Sequence, residues 1–133
     1  MNELSGRIKE IKKSKSISLV KVQVEELLFS AIVIDTPETA PYLKINNPVK
    51  VVFKETEVVI ALEKHLPISL QNRMEGKINA IDKDELLCRL TIETNVGIIT
   101  SIITANAVNQ LNLKEGQRIC AMVKTNEIML YHD

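Results

Sequence analysis

Aromatic side chains are scarce: Phe29, Tyr42, Phe53 and Tyr131 are the whole set, and tryptophan is absent. A protein that stacks successive bases needs more such platforms. An excess of charge of one sign is also missing, since 17 basic residues face 17 acidic ones. Without a basic field there is little to attract a polyanion, although one small anion could still be held by a few donors. Nucleic acid is therefore not expected as a partner. No hydrophobic run approaches the length of a membrane span, and Met1–Gly6 lacks the apolar segment of a secretory signal, so a cytoplasmic protein with no membrane partner is expected. The two cysteines, Cys88 and Cys120, lie far apart, form no C-x-x-C pair and sit inside strand-like runs. They read as reduced core residues. His65 and His132 have no Cys, Asp or second His at ligand spacing, so no site for a metal cation is expected. There is no nucleophile motif either. Asp82-x-Asp84-Glu85 falls at an expected hairpin with no base beside it and reads as a solvated turn, so the chain is not expected to be an enzyme.

What the chain does contain is itself, twice. Sliding the sequence by 70 positions aligns its two halves without a gap: Asn2 falls on Asn72, Gly6 on Gly76, Ile8 on Ile78, Ile32 on Ile102, Leu43 on Leu113, Lys54 on Lys124 and Glu57 on Glu127. The apolar pattern follows, with Val49–Lys54 over Ile119–Lys124. This is the pattern of a tandem duplication. The expected units are residues 1–65 and 66–133, meeting near Pro67.

Each unit reads mostly as strand. Val20, Val22 and Val24 alternate with Lys21 and Gln23, as a half-buried strand requires. Around them, Ile8–Ile11, Leu27–Ile34, Val49–Lys54 and Glu57–Leu62 complete five strands, the last two expected to pair about a tight turn. The second unit repeats the order over Arg73–Ile81, Leu86–Glu93, Gly97–Thr104, Gln117–Lys124 and Glu127–Tyr131. Between its third and fourth strands, Thr104 can cap a short helix with Ala107, Val108 and Leu111 on one face, and Gly116 suits a left-handed turn beyond it. The expected fold is all-β, a tandem of five-stranded OB-like barrels with at most one short helix per unit.

The spacing Ser69-x-x-Asn72-x-x-x-Gly76-Lys77, followed by Ile99–Val108, Leu113-x-x-Gly116 and Val123-Lys124, resembles the Mop domain, also called TOBE. The resemblance covers essentially the whole second unit. The first unit shares Gly6-x-Ile8, Leu43 and Phe53–Val58. Two such units in one chain are similar to the di-Mop molbindins, which implies binding and storage of molybdate or tungstate, with no organic cofactor, at the interfaces of a homo-oligomer, a trimer by analogy. The alternative it implies is a ligand-sensing or protein-interaction module, related to the C-terminal part of molybdate-responsive regulators or transporters.

A tetrahedral oxyanion offers only acceptors, so its site needs N–H groups, hydroxyls and a cation. The resemblance implies Ser69, Gln71 and Asn72 from the opening stretch, then Thr104, Ala105, Asn106 and Ala107 at the helix start, and Lys124 at a strand end. Lys54 and Thr56 are the weaker candidates for a second site. Gln71 stands where the family has Arg, replacing a charge-assisted bond by a neutral one, and Arg73 is a candidate substitute. Plainer roles exist for the same residues: Thr104 as an N-cap, Ser69 and Asn72 as turn formers, Lys124 as a solvated cation. Asn72 and Gly76 recur as Asn2 and Gly6 and suit architecture; Ser69 and Gln71 have no counterparts and suit ligand contact.

Overall fold

A computed structural model describes residues 1–132. The first repeat supplies β1 (Asn2–Ser14), β2 (Ile17–Val24), β3 (Leu27–Val33), β4 (Pro48–Phe53) and β5 (Val59–Ala61). The second supplies β6 (Asn72–Lys83), β7 (Leu87–Thr94), β8 (Gly97–Thr104), α1 (Ala105–Leu111), β9 (Arg118–Val123) and β10 (Met129–Tyr131). Alternation decides the faces. In β2, Ser18, Val20, Val22 and Val24 are buried while their neighbours are half-buried or exposed, and Cys88, Leu90 and Ile92 do the same in β7. The fold is the expected all-β pair of OB-like units with one helix, built as two curled sheets.

The strand pairing differs from the expectation in one respect. β4 and β5 do not form a hairpin. A 3-10 turn at Glu55–Glu57 separates them, and β5 leaves to pair with β9 through the rungs Val59–Met122, Ile60–Ala121 and Ala61–Cys120. β10 makes the reciprocal move after the turn Thr125–Glu127 and pairs with β4 through Met129–Val52, Leu130–Val51 and Tyr131–Lys50. The sheets therefore run β10-β4-β1-β2-β3 and β5-β9-β6-β7-β8, each closed by the last strand of the other repeat. The same exchange merges the cores. Phe29, Phe53, Ile8 and Leu43 belong to one buried cluster with Met74, Ile78, Leu90 and Ile99.

Gly6 and Gly76 let the first strand of each repeat cross its neighbour closely. A Cβ at Gly76 would lie 2.6 Å from the Glu93 carbonyl oxygen, and one at Gly6 would lie 2.5 Å from that of Gln23. Just beyond each glycine the register slips by one residue, between Ile8 and Glu10 and between Ile78 and Ala80, and the strand bends into the barrel.

β9 is buried from Ile119 through Val123, on both faces. Its inner face lines the barrel. On its outer face Cys120 and Met122 pack with Ala61 and Leu70, so the segment joining the repeats lies over it. Burial pushes the Cys120 thiol up from its ordinary value, and both cysteines are free and buried, as expected. Asp84 and Glu85 form the exposed β6–β7 turn, where the Glu85 N–H donates to the Asp84 carboxylate.

Candidate functional site

Asn72 opens β6 and is buried, yet its side-chain amide has full partners. Oδ1 accepts from the Ser30 N–H at 2.7 Å and Nδ2 donates to the Ser30 carbonyl at 2.9 Å. Ser30 lies on β3, a sheet edge that has no strand on that side. The amide thus pairs that edge as a peptide group would. Asn2 repeats the arrangement on β8, accepting from the Thr100 N–H at 2.8 Å and donating to its carbonyl at 2.9 Å. Both asparagines lock one repeat to the other.

This anchoring places the residues on either side of it. Gln71 and Lys124 are the next positions outward from the last β6–β9 rung, Asn72–Val123, and both are exposed. Ser69 is exposed two residues earlier. Lys124 has extended backbone and starts the 3-10 turn that packs against β3, its carbonyl accepting from the Glu127 N–H at 3.0 Å. Gln71, Asn72 and Lys124 therefore lie at one end of the β6–β9 ladder, where Asn72 meets β3 of the first repeat, and Ser69 precedes them in the chain by two residues.

Thr104 and the helix start belong elsewhere. Thr104 Oγ1 accepts from the Ala107 N–H at 3.0 Å, the N-cap bond expected of it. The Ala105 N–H donates to the Leu86 carbonyl at 2.8 Å, and Asn106 is exposed. The helix stops at Asn112, which takes the left-handed conformation at φ 54°, and Gly116 makes a second left-handed turn at φ 88° before β9. Thr104 and Ala107 line a surface groove of about 390 Å³ whose other wall holds Thr56, Val58 and Val59. Lys54 starts the 3-10 turn that carries Thr56 and packs against β8. The weaker candidate Thr56 thus joins the helix start in one groove, which Ser69, Gln71 and Lys124 do not line.

Arg73, the candidate substitute for an arginine at position 71, has its guanidinium engaged by backbone carbonyls. Its Nε donates to the Leu70 carbonyl at 2.8 Å, Nη1 to those of Lys64 at 2.6 Å and Leu66 at 2.8 Å, and Nη2 to that of Ile68 at 2.8 Å. Four carbonyls of the inter-repeat segment wrap one guanidinium. Sequence spacing could not show this, because the acceptors are backbone groups that any residue carries. No group of three or more His, Cys, Asp or Glu side chains among the described residues could hold a metal ion. Among these residues, too, no helix is long and apolar enough to cross a membrane.

The TOBE domain model matches residues 68–130. The chain is 33% identical over 66 residues to molybdenum-pterin-binding protein 2 of Clostridium pasteurianum, a match covering 49% of this chain and 97% of that protein. Molybdenum-pterin-binding protein 1 of the same organism is 32% identical with the same coverage. Among solved structures, the cytoplasmic molybdate-binding protein ModG with molybdate bound superposes with a TM-score of 0.91 at 22% identity, covering 99% of this chain and 96% of that one. At that identity the superposition speaks for the shared tandem fold.

Proposed function

The chain belongs to the di-Mop molbindin branch of the TOBE-domain family, and from that premise we propose that it binds molybdate or tungstate and stores the oxyanion in the cytoplasm. The observation that carries this reading is that the TOBE match, residues 68–130, contains every strong candidate from Ser69 to Lys124. Relatives matched over nearly their whole length are named for molybdenum-pterin binding. Binding without catalysis is the proposed activity, with the anion as ligand and no organic cofactor.

One chain presents two half-sites. Ser69, Gln71 and Lys124 supply a hydroxyl, an amide and an ammonium at one end of the β6–β9 ladder; in the other group Thr104 supplies a hydroxyl and Asn106 an amide, on a helix start held by the Ala105 and Ala107 N–H bonds, with Lys54 and Thr56 beside them. Asn72 acts as the anchor of the first half-site, since both ends of its amide are engaged by Ser30. A tetrahedral anion needs donors from several directions. We therefore propose that the sites complete where copies meet, in a homotrimer, with Lys124 of one copy beside Thr104 of the next. Apolar residues exposed near these groups, among them Val59, Leu62, Leu66 and Ile68, suit such an interface. The repeats proposed as units are residues 1–65 and 66–133.

Calorimetric titration of the assembled protein with molybdate, tungstate and sulfate tests the reading. Micromolar or tighter binding of molybdate or tungstate is expected; no heat from any of the three would end it. Light scattering on the same sample should give three chains per particle. Lys124→Ala, a substitution at an exposed side chain, should weaken binding by about tenfold, the worth of one charge-assisted hydrogen bond, and leave the assembly intact.

A further inference from the structure

The segment between the repeats is bound to Arg73 in an alternating way. The carbonyls of Lys64, Leu66, Ile68 and Leu70, every second residue, all converge on its guanidinium. No peptide bond in the described chain is cis. In a planar trans peptide the C=O of one residue and the N–H of the next point in opposite directions. With the Ile68 and Leu70 carbonyls turned in to the guanidinium, the N–H groups of Ser69 and Gln71 must be turned out. The Leu66 carbonyl precedes Pro67, which has no N–H to present. Neither the Ser69 nor the Gln71 N–H has an acceptor among the described residues; both residues are exposed, and Gln71 lies next to Lys124, one step beyond the last β6–β9 rung.

We propose that Arg73 is a positioning residue for oxyanion recognition: by gathering the carbonyls of the inter-repeat segment it aims the Ser69 and Gln71 N–H groups, as a pair, at the anion. It follows that Gln71 contributes through its backbone, and the absence of the family arginine there removes a charge but not the donor. The cation has moved two residues along the chain and acts from behind the loop. A guanidinium suits this task because its planar, divergent N–H groups reach several carbonyls at once, which a single ammonium cannot do in the same geometry. The inference rests on the oxyanion reading above.

Arg73→Lys separates orientation from charge. It keeps the positive charge and loses the fork, so the loop carbonyls should be released and molybdate affinity should fall by about tenfold or more, as far as in Arg73→Gln. Lysine restoring wild-type affinity would show that charge alone matters and would overturn the proposal. The wild-type assembly supplies a second readout that does not depend on any variant folding. On titration with sodium molybdate, the Ser69 and Gln71 amide resonances should shift and their hydrogen exchange should slow. Calorimetric binding with both amides unmoved would overturn the role of Arg73 while leaving the oxyanion function standing. No molybdate binding by the wild-type assembly would remove both.

Discussion

At the scale of single residues, the recurring Asn and Gly are architectural and can be weighed. Asn72→Ala removes two hydrogen bonds and strands the Ser30 N–H and carbonyl at a partly buried edge. A loss of about 2 kcal/mol is expected from urea unfolding. Gly76→Ala places a methyl group 2.6 Å from a backbone oxygen that cannot swing aside. The strands must separate, at a cost of roughly 1–3 kcal/mol by the same measurement. Both positions were legible from the sequence because duplication marks them: Asn2 and Gly6 meet the same surroundings 70 residues earlier. Arg73 was not legible in this way, for its counterpart in the first repeat is Glu3 and its partners are carbonyls.

One surface pair sets a pH dependence. Glu38 accepts a hydrogen bond from Lys13 Nζ at 2.8 Å, tying the turn after β3 to β1. That bond, helped by one involving Thr36, holds the Glu38 carboxyl down from 4.5 to about 2. A depressed carboxylate stabilises the fold above its unfolded-state value and loses that contribution as pH falls towards the folded one. The difference in urea midpoint between wild type and Glu38→Gln should therefore be small, since the pair is exposed, constant above about pH 5 and shrinking below it. A difference that grew on acidification would contradict the assignment.

Among the elements, the short last strands matter most. Alternation and punctuation placed nearly every strand, and the Thr104 cap placed the helix, because each is a local property. The partner of β5 was not local. Val59–Ala61 is only three residues long, and its sequence fits the edge of β4 or of β9 equally, since those strands are duplicates of one another. The 3-10 turn at Glu55–Glu57 redirects the chain, and Ser101 Oγ fastens it by donating to the Val58 carbonyl at 3.0 Å. Removal of β10 by truncation after Ile128 offers a test of the pairing. Hydrogen exchange should then rise at Val51 and its neighbours in β4, in the first sheet, while β9 keeps its protection from β5 and β6.

For the whole molecule, the exchange means that neither repeat can complete its own sheet. Fragments 1–67 and 68–133 should each fail to form a stable monomer and should associate one-to-one when mixed, regaining the strand signal in circular dichroism. A folded, monomeric 68–133 fragment would show that the crossed strands are dispensable. The candidate site obeys the same logic. Its candidate residues are proposed from their order along the second repeat, but their division between the Lys124 end and the Thr104 groove depends on the tertiary pairing of the two repeats.

The sequence by itself determined the duplication, the strand-rich units, the close-approach glycines, the N-cap at Thr104 and the motif of the TOBE-domain family. These follow from short-range periodicity, steric demand and residue order. Only the tertiary structure decided that the repeats exchange their final strands, that Asn72 and Asn2 pair sheet edges across the repeats, and that Arg73 spends its charge on a loop. The physical reason is common to all three. Backbone N–H and C=O groups are the partners in each case, they are the same in every residue, and only folding selects which of them meet.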